Sequence, residues 1–266
     1  MRLKDKVALV VGAGQIPGET MGNGRATAIV FAREGAKVVA VDRDLALAEE
    51  TAALIAKEGG QCVALKGDVT SNADCAAFVK ACVDRYGRID VLQYNVGIHG
   101  EGRDGEPTVL PEDVWDRVMD VNVKGLYRTT RLVLPIMREQ GSGAITAISS
   151  IFAVCSVDRL AYKTSKAAMN AFCHSVAISY AKHGVRVNVI MPGLIDTPIA
   201  IEYRAKFEGK TTAQVRADRD ARVPLRNRMG TAWDVANASS FLASEDASFI
   251  TGVVLPVDGG MGARIG

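Results

Sequence analysis

Seven short runs rich in β-branched residues, VALVV, KVVAV, CVALK, IDVLQYN, GAITAIS, VRVNVI and VVLPV, recur along the chain with longer Ala-rich, charged segments between them. Strand-length apolar runs without polar alternation are buried on both faces, and helical segments between them act as crossovers. The pattern restricts the chain to an α/β architecture, a doubly wound domain with a parallel sheet of about seven strands and helices on both faces. Helix starts agree: Ser71-Asn72-Ala73-Asp74 and Thr231-Ala232-Trp233-Asp234 each set a hydroxyl three residues before a carboxylate, the spacing of a capping box. The 266 residues are 48% apolar, enough for a large core, and no polar, Pro-rich or Ser-rich linker divides them. Residues 1–266 are therefore expected to form one domain.

Composition also narrows the partners. With 32 basic and 30 acidic residues, a nucleic-acid surface spread over the whole protein is not expected, and small molecules are. Five cysteines, odd in number and without paired spacing, suit a reducing compartment, the cytoplasm, better than a disulfide framework. The start MRLKDKVALVVGAG is charged, but its apolar run is short and passes into glycine without a small-residue cleavage site. No run approaches the roughly 20 apolar residues of a membrane span. His99, Cys155, Cys173 and His174 lack metal-ligand spacing, so no metal is expected, although His99 and Cys155 are placed to line a pocket.

The first strand runs into Gly12-Ala13-Gly14-Gln15-Ile16-Pro17-Gly18-Glu19-Thr20-Met21-Gly22-Asn23-Gly24. Glycines at this density permit positive φ and close approach of backbone to a ligand. A flexible loop is the ordinary reading; the position between the first strand and the long helix GRATAIVFAREG points instead to a dinucleotide site. With the helix starting near Gly22, Asn23 and Gly24, free N–H groups and the positive dipole end face a pyrophosphate. Asp42, ending the second strand, is placed to accept hydrogen bonds from an adenosine ribose. The same carboxylate repels a 2′-phosphate, at a cost of about 4 kcal/mol at ~4 Å and an effective dielectric near 20, before salt and relaxation reduce it. NAD is therefore the expected cofactor. NADP or dual use is the alternative, because Arg25 and Arg43 can partly neutralise a phosphate. Asp68-Val69 either meets an adenine edge or forms the turn before Ser71, and Asn95-Val96-Gly97 is either a plain strand-to-loop turn or a wall beside the cofactor.

If the segment after Ala161 is helical, Tyr162 and Lys166 share one face, and the ammonium near the phenol is expected to favour its anion. A phenol lowered by a few units from its free pKa of about 10 can move an alcohol proton. Tyrosine and lysine at this spacing also occur on solvated faces. Ser150 ends GAITAISS at the sheet edge where ligands bind, and either holds a carbonyl oxygen or forms a cap or turn. Asn122, mid-helix in DVNVKG, is either a local break that frees a carbonyl for a water linked to Lys166 or a satisfied buried amide. Thr197, after Ile195, either bonds a nicotinamide carboxamide or caps the following helix. Residues 198–230 lose strand character and read as a lid, with eight basic residues against four carboxylates. That imbalance is either an anion-binding feature or a solvated basic face.

The glycine turn, Ser150, Tyr162-x-x-x-Lys166 and the closing Val257-Asp258-Gly259-Gly260 resemble the motifs of the classical short-chain dehydrogenase/reductase family over nearly the whole chain. The resemblance implies a Rossmann-type fold and a catalytic tetrad of Asn122, Ser150, Tyr162 and Lys166. It implies a cofactor lined by Gly12, Gly22, Asn23, Gly24, Asp42, Asp68, Val69, Asn95, Gly97, Ile195 and Thr197 together with Tyr162 and Lys166. Tyr162 would be the acid/base, Ser150 the oxygen-holding group, Lys166 a pKa modifier and ribose ligand, and Asn122 the anchor of a water chain. The expected activity is NAD-dependent interconversion of a secondary alcohol and a ketone by hydride transfer, and the expected assembly a homotetramer built on the helices carrying Asn122 and Tyr162. The alternatives are an NADP-linked or dual-cofactor ketone or 3-oxoacyl reductase, a noncatalytic NAD-binding sensor, and a redox-neutral relative, which usually lacks the glycine turn. Departures from the pattern are Val11 where threonine is usual, Tyr94-Asn95-Val96-Gly97 for Asn-Asn-Ala-Gly, and about six extra residues between Gly12 and Gly22. Enoyl reductases also have long turns but place tyrosine and lysine farther apart, so Tyr162-x-x-x-Lys166 argues against enoyl reduction. The insertion is expected to lie over the cofactor, with Thr20 a candidate phosphate ligand.

Overall fold

Alternation of side chains along β1 (Val7–Val11) divides the interior into two layers. Val7, Leu9 and Val11 point into one core, and Ala8 and Val10 into another. The computed structural model describes residues 1–263 apart from Glu101 and Ser156. In chain order the other strands are β2 (Lys37–Asp42), β3 (Gln61–Lys66), β4 (Val91–Tyr94), β5 (Gly143–Ile148), β6 (Val185–Pro192), β7 (Ile195–Asp196), β8 (Gly230–Thr231) and β9 (Val254–Val257). The helices are α1 (Asn23–Arg33), α2 (Leu45–Lys57), α3 (Asn72–Tyr86), α4 (Glu112–Met119), α5 (Gly125–Gln140), α6 (Leu160–Tyr180), α7 (Arg204–Glu208), α8 (Thr212–Asp220) and α9 (Ala232–Ala243).

Seven strands form one parallel sheet in the order β3-β2-β1-β4-β5-β6-β9, the doubly wound arrangement that the strand spacing predicts. On one face Phe78 of α3, Leu126 and Met137 of α5, and Met169 and Cys173 of α6 close over Val7, Leu9 and Val11. On the other, Ala28, Ile29 and Phe31 of α1 and Ala243 of α9 cover Ala8 and Val10. Each fully buried large side chain stabilises the fold by roughly 1.5–3 kcal/mol. Both anticipated pairs form: Ser71 Oγ accepts from the Asp74 N–H at 3.1 Å, and the Thr231 N–H and hydroxyl both donate to Asp234 Oδ2 at 2.7 Å.

Strand order reverses at β1, where Val11 pairs with Val41 on one side and Tyr94 on the other. The crevice beyond these carboxyl ends is where such sheets bind ligands. Two features lay outside the sequence pattern. Residues Asp120–Lys124 form a π-helical segment joining α4 to α5, and β7 pairs with β8 in a separate two-stranded sheet. That small sheet ties together both ends of the segment 198–229, whose Ile201, Ala205, Val215, Val223 and Met229 pack with Leu194 in a small core of their own. A two-residue strand is too short to show a period, which is why neither β7 nor β8 is legible in the residues.

Candidate active site

The glycine turn is built by backbone hydrogen bonds and one close approach. Gly12 has φ +83°, a conformation open to glycine, and the N–H groups of Gly12 and Ala13 both donate to the Val41 carbonyl. Helix α1 then packs so near the turn that a Cβ on Gly24 would lie 1.8 Å from the Gly12 carbonyl oxygen. Asn95 Nδ2 donates to that same oxygen at 3.2 Å. Gln15 staples the extended part of the turn: its Nε2 donates to the Thr20 carbonyl at 3.0 Å, and its Oε1 accepts from the Gly22 N–H at 2.6 Å. Gly22, expected to offer its N–H to a pyrophosphate, thus has that group engaged by Gln15.

Three polar atoms in this region, the Thr20 hydroxyl, Asn23 Oδ1 and Asn95 Oδ1, are buried without a hydrogen-bond partner. Proteins rarely leave such groups bare. Their gathering at a glycine turn and a helix N-terminus fits a bound dinucleotide. Asp42 Oδ2 accepts from the Gly14 N–H at 2.9 Å and its Oδ1 from the Asp44 N–H at 3.2 Å, so the turn itself orients the carboxylate. Beyond β3, the Asp68 carboxylate accepts from the Thr70 N–H and hydroxyl at 2.8 and 2.7 Å. Burial pushes the Asp68 carboxyl up, but these hydrogen bonds and the charges of Arg117 and Arg43 outweigh it and hold it below the usual range. Val69 beside it is buried.

The other half of the site forms where β5 ends. Ser149 Oγ donates to the Lys166 carbonyl at 3.0 Å, which docks α6 onto the strand end. Ser150, next in line, accepts from the Phe152 N–H at 3.2 Å, the cap reading, and its hydroxyl acts on the Tyr162 phenol by favouring the anion. Lys166 is buried, with its Nζ 5.6 Å from the Tyr162 ring centroid and donating to the Ile148 carbonyl at 2.9 Å. Gly97 leaves the space for it: a Cβ there would stand 2.7 Å from Nζ. The phenol departs from the sequence-based expectation. Burial pushes Tyr162 up from its ordinary value, against the opposing pull of the Ser150 hydrogen bond and the Arg159 charge, while burial lowers Lys166 to about 7. In this arrangement the lysine donates to the Ile148 carbonyl and not to the phenol, and desolvation is the largest cause at both groups.

Asn122 is fully buried and its amide is satisfied: Oδ1 accepts from the Ile98 N–H at 2.8 Å, and Nδ2 donates to the Ile98 carbonyl and to Ser165 Oγ, both at 2.9 Å. The local break is also present, since Asn122 sits inside the π segment. Thr197 lies one residue before Pro198, the N-cap of the next helical segment, and its carbonyl accepts from the N–H groups of Ala200 and Ile201. Ile195 is buried in the strand that ties the segment 198–229. His99 and Phe152 approach the Tyr162 ring edge-on, at 6.4 and 6.2 Å between centroids, and Tyr203 lies 6.0 Å from His99. Of these aromatic neighbours only His99 is anticipated from the residues. Phe152, Tyr203, Gln15 and Ser165 carry no spacing signal and are brought in by tertiary packing.

A family profile described as Enoyl-(Acyl carrier protein) reductase matches residues 18–262. The 2-(R)-hydroxypropyl-CoM dehydrogenase of Xanthobacter autotrophicus is 36% identical over 256 residues, 96% of this chain and 97% of that one. A 3-oxoacyl-[acyl-carrier-protein] reductase of Thermotoga maritima is 34% identical over 262 residues, 98% of this chain and 99% of that one. The chain belongs to the classical short-chain dehydrogenase/reductase family. Levodione reductase superposes on this short-chain dehydrogenase/reductase with a TM-score of 0.92 at 31% identity, covering 99% of this chain and 100% of the other. As a member of the family, the protein is an oxidoreductase acting between alcohol and carbonyl groups with NAD(P) as redox partner. No helix among the described residues is long and apolar enough to cross a membrane.

Proposed function

We propose that this short-chain dehydrogenase/reductase is NAD-dependent and interconverts a secondary alcohol and a ketone, with Tyr162 as acid/base. The observation that carries the reading is the cluster at the carboxyl edge of the sheet: Ser150 just past the end of β5, and the buried Lys166 one helical turn after Tyr162 with its Nζ 5.6 Å from the phenol ring centroid. In the oxidation direction the substrate O–H proton passes to the Tyr162 oxygen while Ser150 holds the same substrate oxygen; in reduction the phenol returns it. Lys166, when protonated, favours the phenolate, and Asn122 keeps Ile98 and Ser165 in place behind the site. NAD, when bound, supplies the hydride acceptor or donor. Gly12, Asn23, Gly24, Asp42, Asp68, Val69, Asn95, Gly97, Ile195 and Thr197 would hold it, together with Tyr162, Lys166 and the Thr20 hydroxyl.

NAD is favoured over NADP because Asp42 is held at the end of β2 by the turn, and because Arg25 is already engaged. Its Nε donates to Thr51 Oγ1 at 3.0 Å and its Nη2 to Glu50 Oε2 at 2.8 Å, in a buried setting that leaves little guanidinium for a 2′-phosphate. The segment 198–230 serves as the lid. Arg204, Lys210 and Arg216 on it are ion-paired with Glu208, Asp218 and Asp196. Such pairing favours a solvated basic face over an anion site. The apolar groove where Met119, Val123, Tyr127 and Phe172 meet would be covered in a homo-oligomer.

A spectrophotometric screen of diverse secondary alcohols with NAD and NADP tests the proposal. Absorbance of NADH should appear with NAD and be lost in Tyr162→Phe, with NAD still bound by the remaining contacts. Turnover retained by that variant contradicts the mechanism, and a clear preference for NADP contradicts the cofactor assignment.

A further inference from the structure

Helix α6 begins without a local cap. Its N-cap residue is Arg159, whose side chain makes no capping hydrogen bond, and the N–H groups of the first turn have no partner within the helix. All three find partners 55 to 58 residues upstream: the Leu160 N–H donates to the Gly105 carbonyl at 3.4 Å, the Ala161 N–H to Asp104 Oδ1 at 2.9 Å, and the Tyr162 N–H to Asp104 Oδ2 at 2.9 Å. One carboxylate therefore holds both the backbone of the tyrosine and that of its predecessor. In most helices a serine, threonine or aspartate at the N-cap itself supplies such an acceptor.

The loop that delivers Asp104 is pinned at its other end. Asn122 engages both the N–H and the carbonyl of Ile98. Between the two anchors the Arg103 N–H donates to the Gly100 carbonyl at 2.8 Å, and a Cβ on Gly100 would press to 2.6 Å from the Asp104 Cβ. His99, on this stretch, meets the Tyr162 ring edge-on. On the helix side, Ala161 is fully buried and packs with Val114 and Val118 of α4, so the first turn meets the rest of the site through this contact and through Asp104.

We propose that Asp104 is a positioning residue for the reaction: it ties the loop after β4 to the first turn of α6 and so sets where Tyr162 stands relative to Ser150. The inference rests on Tyr162 being the proton-transfer group. Misplacement of a reacting group by about 1 Å can lower turnover about a hundredfold, so a tie of this kind shows in kcat before it shows in cofactor binding.

The test compares wild type, Asp104→Ala, Asp104→Glu and Tyr162→Phe in NADH-dependent reduction of 2,3-butanedione, a small activated ketone that asks little of the pocket. NADH affinity by fluorescence, the unfolding temperature and amide hydrogen exchange across residues 160–162 are measured alongside. In Asp104→Ala we expect kcat to fall at least about tenfold with NADH affinity within about twofold, the 160–162 amides to lose protection, and Asp104→Glu to recover most of both. Unchanged kcat in Asp104→Ala overturns the proposal. So does a parallel loss of kcat, NADH affinity and unfolding temperature that Asp104→Glu fails to reverse, which marks a purely structural role. If wild type does not reduce the diketone, exchange decides: unchanged protection at 160–162 in Asp104→Ala overturns it. Wild-type turnover in Tyr162→Phe instead refutes the acid/base reading, and the exchange data still report whether Asp104 holds the helix start.

Discussion

The Tyr94 hydroxyl donates to the Val121 carbonyl at 3.0 Å, joining the end of β4 to the π segment that carries Asn122. The wider helical repeat shifts the backbone pairing of that segment, and a fully buried phenol takes the carbonyl. Tyr94, where the family pattern has asparagine, thus ties the end of β4 to the π segment beside the site.

Tyr94→Phe removes a fully buried hydrogen bond to the Val121 carbonyl and should lower stability by about 1 kcal/mol in urea unfolding. Gly125→Ala should also destabilise, because its Cβ would come within 2.5 Å of the Tyr94 hydroxyl and 2.8 Å of Val69. The double variant should lose less than the sum, since removing the hydroxyl relieves part of the clash. Strict additivity would show that the two residues do not share this contact.

Asp42→Ala should shift cofactor choice. Removing the carboxylate removes the like-charge cost against a 2′-phosphate, and the ratio of kcat/KM for NAD over NADP should fall at least about tenfold. Part of the loss with NAD would reflect the freed Gly14 N–H. An unchanged ratio would mean that Asp42 does not face the ribose.

Burial holds Lys166 near 7, well below its ordinary 10.5, so between those values the unfolded chain carries a proton that the folded one lacks. In that window stability rises with pH, by up to about 1.4 kcal/mol per unit from this group. A Lys166→Met variant lacks the effect. Its stability advantage over the wild type, free of cofactor, should therefore be largest near pH 7 and shrink towards pH 10. Parallel unfolding curves at pH 7, 8, 9 and 10 would refute this.

Arg216 bridges the extended glycine turn to the segment 198–229: it meets Glu19 Oε2 and Asp196 Oδ2, both at 3.2 Å, while the Glu19 N–H donates to Glu202 Oε1 at 2.8 Å. Exposed pairs are individually weak. Arg216→Ala should therefore speed NADH release only a few fold, about three to ten, in stopped-flow displacement, with the fold unchanged. An unaltered release rate would show that the turn and the segment 198–229 move independently.

Much of this protein was legible in its residues. Uninterrupted β-branched runs and helical spacers dictate a parallel sheet because they state which faces must be buried. The glycine turn, Asp42, Ser150 and the Tyr162-x-x-x-Lys166 spacing mark the carboxyl edge because each depends on local geometry: positive φ, a strand end, one helical turn. Tertiary structure alone decided how those groups are charged and held. Whether Lys166 lowers the Tyr162 phenol depends on desolvation and on the Ile148 carbonyl competing for its proton, and neither is written in their spacing. The cap of α6 comes from Asp104, the staple of the long turn from Gln15 and the partner of the π segment from Tyr94. Period and propensity report only on neighbours along the chain, whereas these contacts exist only once distant segments have packed.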